Sequence, residues 1–106
     1  MYRPLPNGIT ITKSGIDGLG VVATKTFKAD IVLGVAHVAN KNFPHGHIRT
    51  ALGAFYNHSD EPNCVVLNGY WHQIPVKYLV TSQNIKVGDE LTAKYTLYTV
   101  EDFLWE

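Results

Sequence analysis

Three stretches of the chain hold residue types, at spacings, that could do chemistry. Gly53-Ala54-Phe55-Tyr56-Asn57-His58-Ser59-Asp60-Glu61-Pro62-Asn63-Cys64 gathers amides, an imidazole, a hydroxyl, carboxylates and a thiol into one short run. An Asn amide in a pocket donates and accepts at once, which suits a ligand with a zwitterionic end. Ser14-Gly15-Ile16-Asp17-Gly18-Leu19-Gly20-Val21-Val22-Ala23 supplies a glycine-rich bend. There Gly18 and Gly20 let the backbone approach a bulky ligand and adopt positive φ. Ile85-Lys86-Val87-Gly88-Asp89-Glu90-Leu91-Thr92-Ala93-Lys94-Tyr95 runs from an acidic turn to a phenol.

Each stretch also has a plainer interpretation. Asp17-Gly18 reads by itself as a hairpin turn. The order Gly-x-x-Gly-x-Gly followed by β-branched residues predicts a strand and not a phosphate-capping helix, so no dinucleotide-binding unit starts there. His58 together with His45, His47, Asp60 or Cys64 matches no zinc or iron template, and no metal is expected. Asn57-His58-Ser59 fits the glycosylation pattern, yet nothing points to secretion. Asp60 and Glu61 read as a solvated turn, and Tyr95 alone as the half-buried residue of an amphipathic strand.

The elements that must carry these residues are short. Nine Gly and five Pro punctuate runs rich in Val, Ile, Thr, Tyr and Phe, which predicts strands. Asn7-Gly8 is a turn signal before a strand at Ile9 to Thr12, and Val21 to Phe27 reads as the next strand. Cys64 to Leu67 and Tyr70 to Lys77 are expected to pair through an Asn68-Gly69 turn, the dipeptide favoured in two-residue hairpins. Tyr78 to Ser82 reads as a separate strand, Lys86 to Asp89 as a turn, and Glu90 to Tyr95 as a last strand. Only Val100 to Trp105 carries a helix signal, with acids near its start. Asn40 to Gly46 lacks periodicity and is the expected flexible stretch.

Composition bounds the answer. At 106 residues, 45% hydrophobic and 17% charged, the chain has room for one globular core. Nine basic residues balance nine acidic ones, so no global field favours nucleic acid or an anionic membrane. Neither partner is expected. Cys64 is the single cysteine, which excludes an internal disulfide or a cysteine zinc cluster. With no apolar signal core at the N-terminus, an intracellular location is expected.

In this order the three motifs resemble the SET domain family. The first resembles its opening serine and Gly-x-Gly, the second its Asn-His-Ser-x-x-Pro-Asn signature without a gap, and the third its Ile-x-x-Gly-Glu-Glu-Leu-x-x-x-Tyr, with Asp89 in place of one Glu. The resemblance covers most of residues 9 to 98. It implies a mostly β architecture, a SET domain β-clip of short strands in small sheets with a pseudo-knot near the C-terminus, as one minimal domain over residues 1–106. Compact viral, phage or bacterial members are the nearest in style.

The activity the resemblance implies is methyl transfer from S-adenosylmethionine to a lysine side chain of a protein, histone-like or from a host. Gly18, Leu19, Gly20, Asn57 and His58 would contact the cofactor, with Trp105 stacked on its adenine. Tyr95 would be the catalytic residue where the lysine channel meets the methyl donor. Tyr56, Ala93 and Tyr98 would line the substrate side, Ala93 standing where larger residues limit the number of methyls. Ala54 departs from the family, many of whose members have Arg there. The stretch between the first two motifs is also short. The groove is therefore shallow, or completed by a second copy across a dimer, and the alternative is a SET-like β-clip that binds a partner or S-adenosylmethionine without catalysis. The cytoplasm is the expected location, or a host nucleus if the source is a eukaryotic virus.

Overall fold

The computed structural model describes residues 5–16, 18–42 and 46–94. The fold is mostly β. Strands β1 (Ile9–Lys13) and β2 (Leu19–Ala23) form an antiparallel hairpin, while β3 (Val32–Ala39), β4 (His47–Arg49), β5 (Asn57–His58), β6 (Cys64–Trp71), β7 (Ile74–Thr81) and β8 (Thr92–Ala93) form a six-stranded sheet in the order β4-β3-β7-β6-β8-β5. A single turn of helix, α1 (Ala51–Phe55), leads into β5.

The hairpin is buried most at the Ile9 end of β1 and along Gly20, Val21 and Ala23 of β2, and β1 becomes more exposed toward Lys13. Ile9, Val21 and Ala23 are buried and join Leu33 and Ala36 of β3, Leu52 of α1, Cys64, Leu79, Ile85, Leu91 and Ala93 in one core. β2 is shorter than the expected Val21 to Phe27. At Ala23 the backbone leaves β1 and turns to the segment before β8, donating to Asp89 O at 2.9 Å and accepting from Gly88 N at 2.8 Å. Phe27 bridges Ile85 instead.

The β6–β7 hairpin exists, but its turn is not Asn68-Gly69. The chain reverses at His72-Gln73, both left-handed with φ of 47° and 69°. Asn68 and Gly69 lie within β6, opposite Lys77 and Val76. The later turn extends the ladder to every position from Cys64↔Thr81 to Trp71↔Ile74, and the expected Tyr78 to Ser82 strand is the continuation of β7. Gly69 has a packing role: a Cβ there would stand 2.7 Å from the Tyr78 ring. Asn68 Oδ1 accepts from Lys77 Nζ at 2.9 Å.

Four elements, β3, β4, α1 and β5, went unanticipated. β3 pairs with β7 through two register shifts, beside Gly34 and before His37. α1 corrects the expectation that only the C-terminal stretch could be helical: Thr50 caps it by accepting from Gly53 N at 3.2 Å. Gly53 is required because a Cβ would overlap the carbonyl of Ala36. The expected helix at Val100 to Trp105 lies outside the described residues. Of the Asn40 to Gly46 stretch, the described part is a connection closed by Asn40 N donating to Gly46 O at 2.9 Å.

The segment Glu90 to Ala93 joins the two sheets. Glu90 bridges Val22, and Leu91 N donates to Val21 O at 2.8 Å. Two residues later β8 runs parallel to both β5 and β6, with Ala93 opposite His58 on one side and Cys64 on the other. The threading expected after Tyr95 lies outside the described residues.

Candidate functional site

The site is built where the hairpin bend, β5 and the approach to β8 meet. Ser14 N donates to Gly18 O at 2.8 Å, and Gly18 takes a φ of 52°, which closes the bend. A Cβ at Gly15 or Gly18 would meet no atom within 4 Å, so the backbone is bare and open to a ligand. Gly20 is constrained from the inside: a Cβ there would sit 2.5 Å from Glu90 Oε2 and 3.2 Å from Asn57 Nδ2.

Asn57 projects from β5 into this junction. Its Nδ2 lies 2.8 Å from Glu90 Oε2, 3.0 Å from Ser14 Oγ and 3.2 Å from Leu19 O. With acceptors around the nitrogen, the two ends of the amide are told apart by their partners. Ser14 Oγ donates to the Glu90 carboxylate, 2.8 Å from Oε1 and 2.7 Å from Oε2, and accepts from Ile16 N at 2.8 Å. Gly15 N approaches Glu90 Oε1 at 3.3 Å. Glu90 thus touches residues from the other two motifs.

Asn63 holds the same segment from behind. Its Nδ2 donates to Glu90 O at 2.8 Å, and its Oδ1 accepts from Thr92 N at 2.9 Å. Its own N–H donates to Thr92 Oγ1 at 3.3 Å. The second motif therefore has one Asn facing the bend and another fastening β8.

Other candidates fall in different surroundings. Leu19 is half exposed and contributes its carbonyl to Asn57. His58 follows Asn57 on β5, and its Nε2 lies 3.1 Å from the exposed carboxylate of Asp60. Ala93 is fully buried in the core. Tyr56 is buried beside His37, ring edge to face at 6.2 Å. Tyr95, Tyr98 and Trp105 lie outside the described residues.

A second polar cluster is buried at the β3–β4–β7 end. His37 and His47 meet edge to face at 4.7 Å, and Lys77 is buried nearby. Burial first, then His47, Arg49 and Lys77, lower the His37 pKa from 6.5 to about 4. Its Nδ1 has no hydrogen-bond partner among the described residues. Cys64 is inert for a related reason: burial pushes its thiol up to about 12, so the thiolate a nucleophile needs is not formed near neutral pH. Among the described residues no three His, Cys, Asp or Glu side chains stand together as a metal site.

Sequence reasoning missed the roles of Ser14, Glu90 and Asn63. All three stand inside the motifs, and the available signal was chemical. A serine opening a glycine bend and an acid beside a turn are groups that need partners once partly buried.

The SET domain family model matches residues 34–96, more than half of the 106-residue chain, and the chain belongs to the SET domain family. The match starts after the hairpin, so the first motif enters the site by contact. Among solved structures, the chain is similar to a Plasmodium falciparum protein provisionally named a histone methyltransferase. The TM-score is 0.71, with 24% identity over 84% of this chain and 93% of that one. That likeness shows a shared fold. No curated protein sequence matches the chain.

Proposed function

We propose that the protein transfers a methyl group from S-adenosylmethionine to a lysine side chain of another protein. The observation that supports this reading is the meeting of the bare backbone at Gly15 and at Gly18, the Asn57 amide and the Glu90 carboxylate at one junction, with Tyr95 following Glu90 closely in the sequence. The donor set fits the cofactor. An amide and the backbone groups of the bend suit an amino-acid end that carries an ammonium and a carboxylate, and glycine backbone admits a bulky body.

In this reading Gly18, Leu19, Gly20, Asn57 and His58 bind the cofactor, and Trp105 stacks on its adenine. The cofactor, when bound, supplies a methyl group on a cationic sulfur. The chain's part is to align the acceptor nitrogen with that group and keep water out, because in-line displacement rewards positioning. Tyr95 orients the lysine nitrogen through its hydroxyl. It is not a strong base, since a phenol with a pKa of about 10 is protonated at neutral pH. The acceptor lysine must be neutral, which costs about 4 kcal/mol near pH 7.4 for a free side chain. Tyr56, Ala93 and Tyr98 are assigned to the substrate side.

A radiolabelled-methyl assay over histones and mixed protein extracts tests the proposal, with Tyr95→Phe as control. Label on protein lysine, lost in the control, supports it; transfer no higher than the control overturns it. Ala54 in place of the family's common Arg favours a second reading, a SET-like β-clip that binds S-adenosylmethionine or a partner without turnover. Calorimetric cofactor binding without transfer would favour that reading.

A further inference from the structure

The three motifs converge on one side chain to which neither the motif resemblance nor the family match gives a role. We infer that Glu90 is a positioning residue for the methyl donor, acting through the Asn57 amide and the Ser14 hydroxyl and not by touching the reacting atoms. This rests on the proposed function for its consequence, but its structural half can be tested without any cofactor.

The geometry makes the case. Glu90 Oε2 accepts from Asn57 Nδ2 at 2.8 Å, and its carboxylate accepts from Ser14 Oγ at 2.7 to 2.8 Å. Ser14 Oγ in turn accepts from Asn57 Nδ2 at 3.0 Å and from Ile16 N at 2.8 Å. Glu90, Ser14 and Asn57 thus form a closed triangle in which each side chain holds the other two. Gly20 leaves room for it, since a Cβ would press on Glu90 Oε2. The backbone of Glu90 is fixed as well, by the bridge to Val22 and by Asn63 Nδ2 donating to its carbonyl at 2.8 Å. A carboxylate held at both backbone and side chain is a rigid support for the groups it contacts.

The consequence is directional. An Asn amide has a donor end and an acceptor end that differ little in shape. By accepting from Nδ2 at the shortest distance, Glu90 joins Ser14 Oγ and Leu19 O in holding the donor end of Asn57 toward the bend. Without the carboxylate, the amide keeps only Ser14 Oγ and Leu19 O as acceptors, and the Ser14 to Gly18 turn loses the shortest of its links to the rest of the site. Cofactor affinity should fall, while the chemical step at saturating cofactor is spared.

The test compares wild type, Glu90→Ala, Glu90→Gln and Asn57→Ala, and the double variant Glu90→Ala/Asn57→Ala. Glu90→Ala should raise the KM for S-adenosylmethionine about tenfold or more while kcat stays within about twofold. Glu90→Gln keeps one acceptor oxygen and should fall between the two, and it carries the test if Glu90→Ala does not fold. In the Asn57→Ala background, removing Glu90 should change KM by less than about twofold, because the support then has little left to hold. Independent effects that multiply in the double variant, a fall in kcat with unchanged KM, or lower stability with unchanged KM would each overturn the inference. If wild type neither binds S-adenosylmethionine nor transfers a methyl, the proposed function fails first. The side-chain amide protons of Asn57, followed by NMR, then decide the structural half. Their exchange should be about tenfold or more faster in Glu90→Ala than in wild type, and equal rates would overturn the positioning role.

Discussion

The two polar clusters of the molecule are assembled in opposite ways. At the junction of the hairpin with β5 and β8, Ser14, Asn57, Asn63 and Glu90 are each tied into a shared hydrogen-bond network. At the β3–β4–β7 end, His37 is 3% exposed, stands among basic neighbours and has an Nδ1 without a partner among the described residues. A satisfied network fixes one geometry, whereas a buried histidine among cations is tolerated only while it stays uncharged. The first cluster therefore carries orientation, and the second carries sensitivity to acid.

The largest expected effect tests that contrast through pH. The folded-state pKa of His37 is lowered to about 4 from 6.5, so between those values the unfolded chain binds a proton that the folded chain refuses. His37 thus favours folding above pH 6.5, and that contribution is lost as the pH falls toward 4. The loss is roughly 3 kcal/mol at its limit. Urea midpoints across this range should fall more steeply for wild type than for His37→Leu, and parallel curves would contradict the assignment.

Breaking the satisfied cluster should cost somewhat less and should not depend on this titration. Asn63→Ala strands Thr92 N and the Glu90 carbonyl, for an expected loss of about 2 kcal/mol by urea denaturation at pH 7.5. Gly20→Ala drives a Cβ against Glu90 Oε2. It should lose about 1 to 2 kcal/mol, and it should speed exchange of the Asn57 side-chain amide. The smallest effect belongs to Asp60→Ala, which removes an 89% exposed partner of His58. No measurable shift in the urea midpoint is expected there.

Much of this was readable in the residues. The strand beginning at Ile9 is present, with burial that falls off toward Lys13 instead of alternating, Asn7-Gly8 and Lys86 to Asp89 behave as turns, and Gly8 and Gly88 take φ of 87° and 91°. The approach of Asn57 to the Gly18–Gly20 bend followed from the motif resemblance, and the distances agree with it. Local preference misled at Asn68-Gly69, where eight paired positions and the fit of Tyr78 over Gly69 outweigh the dipeptide's taste for a turn. His72 and Gln73 gave no hint of their left-handed backbone. α1 was invisible because five residues with an internal glycine carry no helical period, and its glycine answers to Ala36 across the chain. The part played by Glu90 depends on neighbours distant in sequence, which no window along the chain can display.

The Ser14 to Glu90 contact spans 76 positions, and Glu90 emerges from the ribosome long after the bend it steadies. A nascent chain that has made the hairpin, β3 and even β7 still has an unfinished junction. The junction then closes in one step when the last stitch passes between β5 and β6, a route expected to be slow because its closing contacts are so remote. A chain stalled before Glu90 would hold the bend and β5 without the carboxylate that contacts both.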